Sequence, residues 1–157
     1  MEFKLRAATS ADLPLIVKHR HAMFTEMGYL NRAELELTDD KFVEWVTDKL
    51  ERGEYREWFL ENENGHVVAG AGLWLMDWVP HAIDQSTCRG NILNPYAEPE
   101  YQASGILRQL LIQILDYCRE NSIRTVIVNP SETVRPLFEN MGFRPTAEMK
   151  IQLAVPN

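Results

Sequence analysis

The sequence predicts an α/β protein (α+β by some schemes): a mixed, mostly antiparallel central sheet flanked by helices, with one parallel strand–helix–strand crossover. Three observations carry this. A strand-like opening is followed by two stretches with apolar residues at helical spacing. A hairpin pattern occupies the middle of the chain. A long amphipathic segment is then flanked by short apolar runs, and a strand–helix–strand unit of that kind crosses over right-handed between parallel strands. At 157 residues the chain is expected to form a single domain over residues 1–157.

The elements follow in order. Phe3 to Ala8 is strand-like, and Ser10 is the expected N-cap of a first helix. Leu13, Ile16, Val17, Arg20 and Phe24 recur at helical spacing until Met27-Gly28. Thr38 or Asp39 is expected to cap a second helix with Phe42, Trp45, Val46 and Leu50 on its apolar face, closed by Gly53. From Tyr55 the period shortens to that of a strand. Asn62-Glu63-Asn64-Gly65 is the turn, and His66 to Val79 is the returning strand. Gly70-Ala71-Gly72 lies inside that strand and lacks a third glycine, so it implies close strand packing rather than a dinucleotide loop.

Pro80 to Thr87 is a loop, and Cys88 to Ala97 is a strand that feeds a proline-marked turn. Beyond Gly105, the residues Ile106, Leu107, Leu110, Leu111, Ile114, Leu115 and Cys118 form the buried stripe of a long helix. Thr125-Val126-Ile127-Val128 is continuously apolar, as in a central strand covered on both faces. A short helix over Val134 to Asn140 and a last strand over about Glu148 to Leu153 complete the chain.

The junction from Ile92 to Arg108 is an anion-binding candidate. Amides in the first turn of a helix lack intrahelical partners, and the macrodipole adds about half a positive charge there. Composition narrows the ligand classes. A net charge of −7 argues against a nucleic-acid partner, which needs a concentrated basic face. No apolar stretch has the roughly 18 residues needed to span a bilayer, and no signal-peptide core is visible. A cytoplasmic protein without a membrane partner is therefore expected. Cys88 and Cys118 lack metal-ligand spacing, so free thiols and no metal site are expected.

Two motifs give the order of elements a family. Asn94-Pro95-Tyr96-Ala97-Glu98-Pro99-Glu100-Tyr101-Gln102-Ala103-Ser104-Gly105 resembles the cofactor motif of the GNAT superfamily of N-acetyltransferases, with Pro-Glu-Tyr before a Gln/Arg-x-x-Gly-x-Gly/Ala loop. Ser131 to Phe143 resembles its second motif, a short helix that carries an aromatic residue and ends in Gly-Phe. The resemblance implies acetyl-coenzyme A as co-substrate. Gln102, Ala103, Ser104, Gly105 and Ile106 would cradle its pyrophosphate, and Leu107 stands at the loop's final small position. Asn94, Tyr96 and Ala97 would offer backbone contacts to the pantetheine arm. Ser131, Arg135 and Phe138 lie toward the cofactor end of the short helix.

The implied reaction is direct attack of a primary amine on the thioester, with a small-molecule or peptide acceptor and a homodimer expected. Glu26, Asp77 and His81 are the candidate bases, and Trp74, Trp78 and Tyr96 are candidate walls of the acceptor pocket. Departures from the pattern leave a second function open. Leu107 is large for its position, Phe138 replaces a tyrosine that protonates the departing thiolate in many members, and Pro95 lacks the amide that usually meets the acetyl carbonyl. Either the strand bulges so that Tyr96 becomes the donor, or another donor serves. The alternative is a regulatory or sensor domain that binds acyl-coenzyme A with impaired chemistry.

Overall fold

A computed structural model describes residues 2–157. Its sheet has the order β1-β2-β3-β4-β5, formed by Lys4–Ala7, Tyr55–Glu61, Val67–Asp77, Cys88–Ala97 and Val126–Val128. The first four strands pair antiparallel, and β4 pairs parallel with β5. The helices are α1 (Leu13–Glu26), α2 (Arg32–Glu51), α3 (Ile106–Glu120) and α4 (Arg135–Asn140).

Alternation along β2 sorts two cores to opposite faces of the sheet. Tyr55 and Phe59 pack with Ile16 of α1 and with Phe42 and Val46 of α2. Leu60 joins Val68, Ala71, Leu73 and Ile92 against the stripe Ile106, Leu110, Leu111, Ile114 and Cys118 of α3. The glycines of β3 permit the first of these layers. A Cβ at Gly72 would collide with the Tyr55 hydroxyl, and one at Gly70 would sit 2.8 Å from Phe59 and 2.9 Å from His19.

Three expectations change. The first helix is not capped by Ser10: Ser10–Asp12 is a 3₁₀ turn whose Thr9 N–H donates to Asp12 Oδ2 at 2.7 Å. Arg6 clamps the same carboxylate and holds it down at about 2. α2 starts at Arg32, six residues before Thr38, because the Asn31 side chain accepts the Glu34 N–H at 3.1 Å and good helix formers follow. Thr38 lies inside the helix and turns its hydroxyl back to the Glu34 carbonyl. The expected last strand is absent among the described residues: residues 148–153 are exposed and pair with no strand.

His19 is 3% exposed, wedged between Phe59 and Tyr96. Burial lowers its pKa from 6.5 to about 4, against a smaller raising effect of Glu98. The unfolded chain therefore takes up a proton between these values that the folded one refuses. This contribution to stability is complete above pH 6.5 and is lost as pH falls toward 4. Urea unfolding across this range should show wild-type stability falling by roughly 3 kcal/mol more than that of His19→Leu; parallel curves for the two proteins would contradict a buried neutral His19.

Candidate functional site

The site begins with a fault in the sheet. Tyr96 of β4 opposes Gly70 of β3, but Leu93 opposes Gly72, so Asn94 and Pro95 together face Ala71. This is a β-bulge. Both residues suit it: Pro95 has no N–H for the ladder, and asparagine tolerates the left-handed φ of 58° found at Asn94. Beyond the bulge β4 parts from β5. The two pair only at Gly90↔Val126, Asn91↔Ile127 and Ile92↔Val128, so Leu93 to Ala97 has no strand on that side.

Side chains beneath the bulge hold it. Arg20 of α1 donates to Asn94 Oδ1 at 2.6 Å, Asn94 Nδ2 donates to the Tyr55 hydroxyl at 3.2 Å, and that hydroxyl donates to Glu57 Oε2 at 3.0 Å. The Arg20 guanidinium lies between the rings of Phe24 and Phe42, 4.7 and 4.5 Å from their centroids. Burial pushes Glu57 and Tyr55 well above their ordinary pKa values and lowers that of Arg20. The Asn94 side chain is thus part of the core, and only its backbone is near the cleft.

The amides follow from the register. Glu98 N–H donates to Val68 O at 2.9 Å, and strand alternation then turns the Tyr96 N–H toward Gly70. The bulge is present, but it does not free Tyr96 as the substitute donor, because its amide belongs to the ladder. On the splayed side stand the Ala97 N–H and Pro95, which has none.

Next to the splay is a cavity of about 260 Å³. Its walls are Pro95, Tyr96 and Ala97 from β4, and Met23, Glu26 and Met27 from the end of α1. Gln102, Gly105, Leu107 and Arg108 from the turn and the start of α3, and Ser131, Thr133, Val134 and Leu137 from α4 and the loop before it, complete the lining. Pro99–Ser104 forms a 3₁₀ turn, Gly105 adopts φ 76°, and α3 starts at once. The first backbone bond of α3 runs from Gln109 N–H to Gly105 O at 3.2 Å, so the amides of its first turn have no partner within the helix. A Cβ at Gly105 would meet open space, so the glycine serves backbone conformation rather than clearance.

The expected site residues divide. Gln102 donates to Glu26 Oε1 at 3.0 Å and to Ala97 O at 3.1 Å, tying the turn to α1 and β4. Ala103 and Ser104 are exposed, and Ser104 Oγ donates to Tyr101 O. Ile106 and Leu107 belong to the core cluster, and Leu107 also lines the cavity. Ser131 lies on the cavity wall, and its carbonyl accepts the Arg135 N–H. Phe138 is buried edge-on to Phe143, 5.2 Å between centroids, and does not line this cavity.

Asp77 and His81 are not brought to the cleft. Asp77 pairs with Cys88 at the opposite end of β3 and β4, seven residues from Gly70 and so roughly 20 Å away along the strand. His81 lies in the adjoining loop, bonded to Asp84. Trp74 packs against Trp45, and Trp78 is covered by Arg89, so of the three aromatics only Tyr96 lines the cavity. Sequence reasoning gave no role to Met23, Met27, Thr133, Val134, Leu137 or Arg108. A cation one turn beyond the glycine was the available signal for Arg108, whose Nη1 donates to Asn140 at 3.0 Å.

The model of the Acetyltransferase (GNAT) family matches residues 20–143. The chain belongs to the GNAT family. A GCN5-related N-acetyltransferase from Ralstonia eutropha JMP134 is 33% identical, with a TM-score of 0.91 over 97% of this chain and 99% of that one. A predicted acetyltransferase from Clostridium acetobutylicum, solved with acetyl-CoA, is 25% identical with a TM-score of 0.87, covering 98% of this chain and 96% of that one. Glucosamine 6-phosphate N-acetyltransferase of Trypanosoma brucei brucei is 26% identical over 86 residues, which are 55% of this chain and 56% of that protein. The chain thus spans about half the length of that curated relative. The TM-scores show that both structures share the overall architecture of this chain.

The bulge can be tested separately from any ligand. Asn94→Ala should lose about 2–4 kcal/mol in urea unfolding, because it strains a left-handed residue and unpairs Arg20 in the core. Asn94→Gly, which keeps the backbone conformation, should lose about 1 kcal/mol less. Equal losses would show that the conformation itself carries no cost.

Proposed function

We propose that the chain is an acetyl-coenzyme A-dependent N-acetyltransferase that acylates a primary amine of a small molecule or peptide. The observation that carries this is the continuity of the β4–β5 splay with the glycine turn at the start of α3, in a chain of the GNAT family. When bound, the co-substrate supplies a thioester carbonyl that an amine attacks directly. The amides of the first α3 turn and Arg108 would hold the pyrophosphate. The Ala97 N–H would pair with the pantetheine arm along the open edge of β4.

Glu26, on the cavity wall, would take the ammonium proton, directly or through water. Phe138 has no proton to give the thiolate. Tyr96 lines the same cavity, and its hydroxyl is held protonated at neutral pH, raised first by burial and then by Glu26 and Glu98. It takes the role of acid in this reading. The Trypanosoma relative supports an amino-sugar acceptor among the classes to test. The free thiols of Cys88 and Cys118 support a reducing, cytoplasmic setting.

Pro95 and Phe138 favour a second reading, a domain that binds acyl-coenzyme A and responds to it without turnover. Thermal melting with acetyl-coenzyme A followed by thiol release with amino sugars, polyamines, aminoglycosides and peptide amines separates the two. Binding with turnover supports the transferase, and binding without turnover across the panel supports the sensor. No shift in melting at millimolar acetyl-coenzyme A would end both. With an acceptor in hand, Tyr96→Phe should reduce kcat on the order of a hundredfold with little change in cofactor binding; unchanged kcat would assign the proton to water.

A further inference from the structure

The side chain of Gln102 carries the further inference, which rests on the acetyl-transfer reading. Its Nε2 has two hydrogens, and both are committed: one goes to Ala97 O at 3.1 Å and the other to Glu26 Oε1 at 3.0 Å. Both partners are acceptors, so the amide can stand only one way round. The turn before α3 is thereby joined to the end of β4 and, across 76 positions of sequence, to the last residue of α1.

Among the described residues no other group fixes that carboxylate. Glu26 stands at the C-terminal end of α1, where the macrodipole is negative, and the last turn of the helix has no basic residue to draw it in. Arg108, on the same cavity wall, donates to Asn140 and not to Glu26. Glu26 is exposed, and an exposed glutamate without a partner is spread over many rotamers. The amide also has a property that a cation would lack. A guanidinium beside Glu26 would pair with it and offset the charge that is to attract a substrate ammonium. A carboxamide supplies direction without charge: it holds Oε1 and leaves Oε2 free to accept from an amine. Ala97 O in turn fixes the amide. Ala97 is 5% exposed and lies on the open edge of β4, so the position of Glu26 is referenced to the strand edge that would receive the pantetheine arm.

We propose that Gln102 is a positioning residue for acyl transfer, its side-chain amide placing the Glu26 carboxylate at the cleft from within the turn that would take the pyrophosphate. One side chain then sets the proton acceptor against the phosphate turn and the strand edge together. Gln102 does not meet the acceptor in this arrangement, and its effect on the chemistry passes through Glu26.

The test is a double-mutant cycle in the full chain with Gln102→Leu, Glu26→Gln and the two combined, using acetyl-coenzyme A and whichever amine of the panel the wild type acetylates fastest. Both side chains are exposed, so neither substitution disturbs the core. Gln102→Leu should lower kcat roughly ten- to a hundredfold. It should leave the dissociation constant of acetyl-coenzyme A nearly unchanged, because backbone amides hold the phosphates. In the Glu26→Gln background the same substitution should change kcat by less than about twofold, since the group it positions is already gone. Losses that multiply in the double variant overturn the proposal, because Gln102 then acts on something other than Glu26. A loss confined to cofactor binding also overturns it and makes Gln102 a part of the phosphate turn alone. A wild type that binds acetyl-coenzyme A yet acetylates none of the panel removes the transferase reading, and this proposal with it, before any variant is compared.

Discussion

The pairing of Arg20 with Asn94 is the interaction on which the arrangement of the site rests. A left-handed asparagine followed by proline bends β4 away from β5, and the bend is what opens a cleft in an otherwise continuous sheet. Such a conformation persists only where its surroundings over-determine it. Here they do: the carboxamide oxygen accepts a hydrogen bond from a guanidinium held between two aromatic rings, and its nitrogen donates one to a buried tyrosine. A charge from α1, the aromatic face of α2, the hydroxyl of β2 and the backbone of β4 are therefore one unit. The helices on that face of the sheet position the cleft without lining most of it.

Sequence periodicity showed most of the scaffold and little of its exceptions. The stripe of α3 and the β2–β3 hairpin were legible because burial imposes periods of 3.6 and 2 on residues that nothing else constrains. The start of α2 was missed because a distant asparagine cap and exposed helix formers outweigh the threonine that looked like a start. Gly70 and Gly72 were read correctly as close packing. Their partners, Phe59, His19 and Tyr55, could not be named, since contacts across strands depend on register. The last strand failed for a different reason: the period-two pattern is present, but a strand needs a neighbour, and residues 148–153 pair with none in the structure.

In the candidate site, local motifs were legible and long-range ones were not. The turn from Gln102 to Ile106 carries its conformation in its own residues. Glu26 and Tyr96, by contrast, share a cavity only because α1 ends over β4, whereas Asp77 and His81, equally plausible by residue type, are carried to the other end of the sheet. Phe138 packs its ring into the core edge-on to Phe143 and has no proton to give. That leaves the oxygen atoms of Tyr96, Glu26, Ser131 and Thr133 as the side-chain groups on the cavity wall able to accept or move a proton.

The two edges of the sheet obey different constraints. β1 is four residues long and places Lys4 and Arg6 along its edge, with Arg6 paired to both Asp12 and Glu61. Charge and brevity of this kind discourage a further strand. β5 is as short but wholly apolar, and its neighbourhood adds exposed aliphatic side chains instead of charge. The asymmetry follows from β4, which must separate from β5 to open a cleft and so leaves β5 held by three paired positions on one side only. A strand held so lightly gains most from a neighbour on its free side, and the same opening that makes room for a cofactor makes that edge the part of the sheet most in need of cover.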